Sequence, residues 1–265
     1  MRCSALFTDL YELTMLQSYV RDGMHGTAAF DLFVRRLRAR NYLLACGLDA
    51  ALSCLEEFRF EQEELAYLSS LPQLAPDFID WLAGLRFTGD VYAVPEGTPV
   101  FANEPLLEIV APLPEAQLVE TALLNRVSFA TNVASKAARV VHAAAGRPVA
   151  EFGMRRLHGI DAAMQAARAA YVAGVDTTSN VQAGFELGIG VSGTMAHSFV
   201  QVHESEAEAF DTFARLYPRT TLLVDTYDTL AAIDKAISLY HRLPDDRRFA
   251  WVRLDSGDLM TLSRA

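Results

Sequence analysis

Residues 147–200, RPVAEFGMRRLHGIDAAMQAARAAYVAGVDTTSNVQAGFELGIGVSGTMAHSFV, decide the fold class. Short strand-like runs, PVAEFG, GVDTTS and GVSGTM, alternate with helical ones at Asp161 to Ala173 and Val181 to Leu187. Downstream the alternation continues with a helix at Glu204 to Tyr217, a strand at TTLLVDT and a helix at Thr229 to Arg242. A last strand, FAWVRLDSGD, opens a further helix at Asp258. Successive βα units with short loops imply parallel strands joined by right-handed crossovers. An open doubly wound sheet and a barrel both satisfy this. Polar residues gather at the successive strand ends, in EFGMRR, DTTSN, GTMAHS, DTYDT and RLDSGD. In a barrel those ends share one mouth, which favours an irregular TIM-like α/β barrel.

Upstream the texture changes. Thr8 is the expected cap of a helix over Asp9 to Val20, whose apolar face is Leu10, Leu13, Met15, Leu16 and Tyr19, with Tyr11 off that stripe. Ala28 to Val34 alternates like a strand and runs into Arg35, Arg36, Arg38 and Arg40, the densest basic run. A solvated face and a phosphate contact are both open for it. Helical patterns at Leu48 to Phe58, at Gln62 to Ser70 and around Trp81 precede two β-prone stretches, Phe87 to Ala93 and Pro99 to Ile109. Their Gly and Pro interruptions suit antiparallel strands and turns. Pro112 and Pro114 then punctuate the chain before a long Ala-rich helical stretch, Ala116 to Ala145, with a break expected near Asn132 to Ser135. The expected organisation is an N-terminal α+β domain over 1–115 and an α/β barrel domain over 116–265.

With 265 residues, 51% hydrophobic and 21% charged, the chain is ample for a large core. A formal net charge of -10 argues against a general nucleic-acid binder, which needs Lys and Arg along the phosphates. Anionic substrates then require a local Arg cluster. Three cysteines, Cys3, Cys46 and Cys54, without close CxxC spacing suggest neither a disulfide framework nor a zinc site, and a reducing cytoplasm fits best. No apolar run of about 18 residues occurs, and Asp9 and Glu12 interrupt any signal-peptide core, so a soluble, untargeted protein with no membrane partner is expected.

Among the strand ends, GVSGTMAHSFV puts His197 on a small-residue turn beside Thr194 and Ser198, hydrogen-bonding partners of phosphate size. Glu151 to Arg156 brings together Phe152, the flexible Gly153 and the guanidinium of Arg155, suited to a flat ring and a phosphate, although paired arginines are also ordinary solvated surface. Asp176 either opens a helix-capping run or points into the mouth; Asp225 and Asp228 are similarly ambiguous. Arg253 and Asp255, two apart on a strand, face the same side, as a structural ion pair or as a cation for a carboxylate beside an acceptor for sugar hydroxyls. GxxxxGK[ST], GxGxxG and HExxH are all lacking.

The motifs TDLYELTMLQSY, FDLFVRRLRARNYLLACGL, EFGMRRLHGIDAA, DTTSNVQA, GTMAHSFVQ and VRLDSGD, in that order, resemble the nicotinate phosphoribosyltransferases closely over nearly the whole chain. The resemblance implies a type II phosphoribosyltransferase: a smaller α/β domain with an irregular barrel, working as a homodimer with shared active sites. It implies conversion of nicotinate and phosphoribosyl pyrophosphate to nicotinate mononucleotide and pyrophosphate, the first step of NAD salvage from nicotinate. ATP is the hydrolysed co-substrate, making a ligase-type enzyme, and Mg2+ neutralises the pyrophosphate. His197 takes the position of a transiently phosphorylated histidine and Asp255 that of a ribose contact. Phe152 and, from the partner subunit, Tyr11 would stack on the pyridine ring. Arg253 would hold the carboxylate, with Thr194 near the ring, Arg155 on phosphate with Arg35 or Arg36, and Asp176 facing the ring substituent. Relatives continue beyond SGDL, so the expectation is a barrel incomplete at the C-terminus: a fragment, or one part of a split enzyme that needs a completing chain. A nicotinamide or quinolinate phosphoribosyltransferase and a non-catalytic subunit are the alternatives.

Overall fold

The computed structural model describes residues 4–37 and 40–265; Cys3 and Arg38 lie outside the described residues. The fold is mixed α/β, and the chain divides into two compact units, Met1–Val191 and Ser192–Ala265.

In the first unit, strand Pro105–Pro112 is the centre of a three-stranded antiparallel sheet, flanked by Thr27–Phe33 and Asp90–Ala93. Its residues Leu107, Ile109 and Ala111 alternate into the core, as a sheet with one covered face requires. Phe30 and Val91 both oppose Ile109. The expected strand Pro99 to Ile109 divides: Pro99–Val100 pairs separately with Leu43–Leu44, and Asn103 turns at φ 64° between the two pieces. Helices Leu10–Arg21, Leu48–Glu56, Gln62–Ser69 and Pro76–Gly84 close the core through Leu13, Leu16, Cys54, Leu68, Phe78 and Leu82. The cap of the first helix is Asp9 rather than Thr8: the Asp9 N–H donates to the Glu12 carboxylate (3.3 Å), and the Thr8 hydroxyl donates to the same carboxylate from outside the turn.

The Ala-rich stretch breaks at Val119, giving helices Leu113–Leu118 and Glu120–Ala144, and it runs unbroken through 132–135, against expectation. Asn132 and Ser135 do not interrupt it because their side chains donate back to the carbonyls of Ser128 and Thr131, and Ser135 Oγ also accepts from Leu44 N (2.8 Å). Thus Ser135, within the expected break, instead docks the helix on strand Leu43–Leu44. Left-handed Ala145 and Gly146 end it (φ 50° and 81°).

Beyond this helix the expected parallel order holds. Ala150–Glu151, Thr177–Thr178 and Gly190–Val191 form a parallel sheet, crossed by helices Ile160–Val172 and Val181–Leu187. Arg168, on the first of these helices, makes a two-pronged pair with Glu96 (3.0 and 2.8 Å), and the Glu96 carboxylate also accepts from Gly47 N (2.6 Å). This partly buried cluster joins the strand–helix layer to the antiparallel part of the same unit. It also keeps Cys46 inert, since burial first, and Glu96 next, push its thiol up to about 12. Cys54 is disulfide-bonded, against the expectation of unpaired thiols, whereas Cys46 is free.

The second unit pairs Thr221–Leu223 in parallel with Trp251–Arg253 through the crossover helix Thr229–Arg242. Its core is Phe210, Ala214, Leu222, Leu223, Val224, Ala236 and Leu239. Among the described residues no helix is long and apolar enough to cross a membrane.

Candidate active site

The second unit assembles its polar centre from the turn leading to His197 and from the ends of its two strands. His197 opens the short helix His197–Gln201; its Nδ1 lies 3.2 Å from Thr226 Oγ1 and its Nε2 lies 3.6 Å from Asp255 Oδ2. The other Asp255 oxygen takes the Arg253 guanidinium, so one carboxylate stands between imidazole and arginine. The sequence reading of Arg253 and Asp255 on one side of a strand therefore holds, and the ion pair it left open is present. Asp225, at the end of the buried run Leu222 to Val224, underlies this group. Its Oδ2 accepts from Asp255 N and Ser256 Oγ, both at 2.7 Å, and Oδ1 is buried without a partner. Burial pushes the Asp225 carboxyl up, but the Ser256 hydroxyl, the Asp255 N–H and nearby His197 outweigh it and hold its pKa below the usual carboxylate range. Thr194 is occupied differently from a phosphate donor: its hydroxyl donates to Thr221 O (2.6 Å), tying the GTMAHS turn to the adjacent strand. Ser198 is exposed one residue past the imidazole.

In the first unit, Phe152 follows strand Ala150–Glu151, and Arg155 sits on the exposed one-turn 3-10 helix Met154–Arg156. Glu151 accepts from Gly153 N and, at 2.7 Å, from the Thr178 hydroxyl, which shapes the turn carrying both. Asp176 lies at the incoming end of its strand, since Thr177 pairs with Ala150, and its Oδ2 accepts from Val149 N (2.8 Å). It is thus separated from the outgoing end that carries Phe152. Asn180, not Asp176, caps the following helix, accepting from Ala183 N (3.1 Å).

Tyr11 stands 47% exposed on the first turn of Leu10–Arg21. Arg35 and Arg36 lie on the rim of an open cleft of ≈ 1050 Å³, whose wall includes Phe30, Ile109, Leu123 and Glu120. Among the described residues no group of three or more His, Cys, Asp and Glu is arranged to hold a metal ion.

Residues 6–128 match the N-terminal domain of the nicotinate phosphoribosyltransferases, and residues 148–264 match the family's main domain. The chain belongs to the nicotinate phosphoribosyltransferase family. Within that family it is 55% identical, over 98% of its own length, to nicotinate phosphoribosyltransferase pncB2 of Mycobacterium tuberculosis, covering 57% of that relative. The nicotinate phosphoribosyltransferase of Bacillus subtilis is 46% identical over 98% of this chain and is covered to 54%. The crystal structure of human nicotinic acid phosphoribosyltransferase superposes with a TM-score of 0.81 at 32% identity, covering 97% of this chain and 62% of that one. The chain therefore spans a little over half the length of the curated relatives it matches. Residues 148–264 include His197, Arg253 and Asp255, so the centre described above lies within the family's main domain.

Thr226 and Ser256 had no role in the sequence reading, and Asp225 was left open between a helix cap and a group facing the mouth. The available signal was the apolar run TLLV opening into DTYD, because a carboxylate directly after a buried strand must find donors or protonate.

Proposed function

We propose that this chain carries the nucleotide-forming centre of an ATP-coupled nicotinate phosphoribosyltransferase. Nicotinate and phosphoribosyl pyrophosphate would give nicotinate mononucleotide and pyrophosphate, the entry of nicotinate into NAD salvage. The observation that carries the reading is Asp255 set between His197 and Arg253 inside the family's main domain.

Each residue then has a task that follows from its contacts. A neutral imidazole of His197 would attack the γ-phosphate of ATP through its unprotonated nitrogen, the N–P bond forming as the bond to the bridging β–γ oxygen breaks and ADP leaves. The ring becomes cationic as the bond forms, and the Asp255 carboxylate 3.6 Å from Nε2 stabilises that charge. Thr226 Oγ1 holds Nδ1 and with it the plane of the ring. Arg253, paired with Asp255, presents a planar guanidinium fork suited to the nicotinate carboxylate. Asp255, fixed from below by Asp225, is placed to meet ribose hydroxyls. Phe152 and Tyr11 supply aromatic faces for the pyridine ring, Tyr11 across a homodimer. Arg155 and the Arg35–Arg36 pair supply cations for phosphates, and Ser198 a hydroxyl. Thr194 shapes the histidine turn next to the ring, and Asp176, tied to Val149, supports the strand that leads to Phe152.

Mg2+ fits in its usual mode for substrate phosphates, bound through one or two carboxylates with water retained, rather than in an all-protein cage. Asp225, through its unpartnered Oδ1, and the neighbouring Asp255 would hold it, and the ion would neutralise the leaving pyrophosphate.

Incubation with γ-labelled ATP tests the centre directly. An acid-labile, base-stable phosphoryl group that disappears in His197→Ala is the expected result; label retained in that variant rules out His197 as the acceptor.

A further inference from the structure

One carboxylate holds the turn that carries Phe152 from both sides. Glu151 ends strand Ala150–Glu151, and its side chain reaches past Phe152 to accept from Gly153 N. Its other oxygen, Oε2, accepts from the Thr178 hydroxyl on the neighbouring strand (2.7 Å). Thr178 is buried, and its Oγ1 also accepts from Asn180 N (3.1 Å), so the hydroxyl takes one proton from the backbone and gives its own to Glu151. The main chain closes the same corner, with Ser179 N donating to Glu151 O (2.9 Å). Gly153 is needed there for space rather than for backbone angle: its φ is -84°, but a Cβ would stand 2.8 Å from Glu151 Oε1. Phe152 is thus the single residue between two anchored positions, while its side chain reaches the surface, 37% exposed.

Ordering a loop residue when a ligand binds costs free energy, and a turn already ordered by the fold has met that cost before the ligand arrives. We propose that Glu151, braced by Thr178, is a positioning residue that presets the backbone of Phe152 so that its ring is ready to stack on the pyridine substrate. The inference rests on the reading of Phe152 as a ring-stacking residue, and it adds the group that orients it. Counting donors and acceptors explains the acid. Gly153 N and the Thr178 hydroxyl both donate, and a carboxylate offers an acceptor to each. Glutamine keeps the reach: its carbonyl oxygen can serve Gly153 N while its amide donates to a Thr178 hydroxyl that has turned. Methionine has the length without a strong acceptor.

Two readouts on the full chain separate the inference from the reading beneath it. In the first, the chain is labelled with 15N-glycine and amide exchange is followed by NMR, the Gly153 signal being identified by its absence in Gly153→Ala. Exchange at Gly153 should quicken at least about tenfold in Glu151→Met and stay within about twofold of the unaltered rate in Glu151→Gln. An unchanged rate in Glu151→Met overturns the anchoring. In the second readout, nicotinate binding is measured by calorimetry with phosphoribosyl pyrophosphate present. Glu151→Met should weaken binding roughly fivefold, Glu151→Gln by no more than about twofold and Phe152→Leu roughly tenfold, with Glu151→Met adding nothing further in the Phe152→Leu background. Gly153→Ala, whose methyl group crowds the carboxylate, should match Glu151→Met, and it carries the test where the methionine variant fails to fold. Additive losses in the double variant overturn the inference. No nicotinate binding by the unaltered chain, or full binding by Phe152→Leu, overturns the stacking reading on which the inference rests.

Discussion

Asp225 offers the sharpest test of how the candidate centre is built. Its Oδ2 accepts from Asp255 N and Ser256 Oγ, each at 2.7 Å, while the residue is only 9% exposed. Hydrogen bonds to a charged acceptor are worth about 1.5–3 kcal/mol each, and a buried backbone N–H stripped of its acceptor costs about 1–3 kcal/mol. Ser256 can turn its hydroxyl elsewhere, but Asp255 N cannot. Asp225→Ala should therefore lower stability by about 2–4 kcal/mol. Asp225→Asn, whose amide oxygen replaces Oδ2 without the charge, should lose about half as much.

The pH dependence carries a sign. The folded pKa of Asp225 lies below its unfolded value near about 4. Its stabilisation is thus fully present above that unfolded value and is lost as pH falls through the folded one. Urea unfolding followed by circular dichroism, at pH 7 and again below the carboxylate range, measures both effects. The reasoning is refuted by a cost under about 0.5 kcal/mol for Asp225→Ala, or by a deficit of Asp225→Asn that does not shrink in acid.

Three further outcomes are expected. At the Glu96–Arg168 pair, Arg168→Met should cost about 3–5 kcal/mol by leaving the partly buried Glu96 carboxylate without its cation, and Glu96→Leu somewhat less, because Arg168 keeps Asp49 at 3.5 Å. The double variant should cost clearly less than the two singles together; a double cost equal to their sum, read from urea melts, would contradict the pairing. Burial raises the Glu12 pKa, so the ionised form is disfavoured in the fold, and the associated stability is present below the unfolded pKa and lost as pH rises through the folded one. Glu12→Gln should consequently be neutral or stabilising by up to about 1 kcal/mol at pH 7, with the difference vanishing below about pH 4, as thermal melts at the two pH values would show. Arg253→Ala should raise the KM for nicotinate at least tenfold while that for ATP changes little, from loss of a charge-assisted contact of roughly 2 kcal/mol; equal effects on both substrates would remove Arg253 from the ring site.

The amino-acid order was informative wherever a property is local. Periodicity marked the helices, alternation marked the strand at Ala28 to Val34, and spacing of two placed Arg253 and Asp255 on one side, because each depends on backbone geometry over a few residues. The family motifs carried the same local record over nearly the whole length. Tertiary structure alone decided what each polar side chain meets. Thr194 looked available for phosphate and is committed to Thr221 O; Asp176 looked ready for the mouth and is tied to Val149 N. Asn132 and Ser135 looked like a helix break; Asn132 bonds back within the helix, and Ser135 is a docking point for Leu44 N. Asp225, open between a helix cap and the mouth, holds the backbone under Asp255. A hydroxyl or a carboxylate satisfies itself with whichever donor or acceptor the fold brings within about 3 Å, and that partner often lies tens of residues away along the chain. Sequence spacing fixes where a side chain starts, while the packing of distant strands fixes which partner it finds.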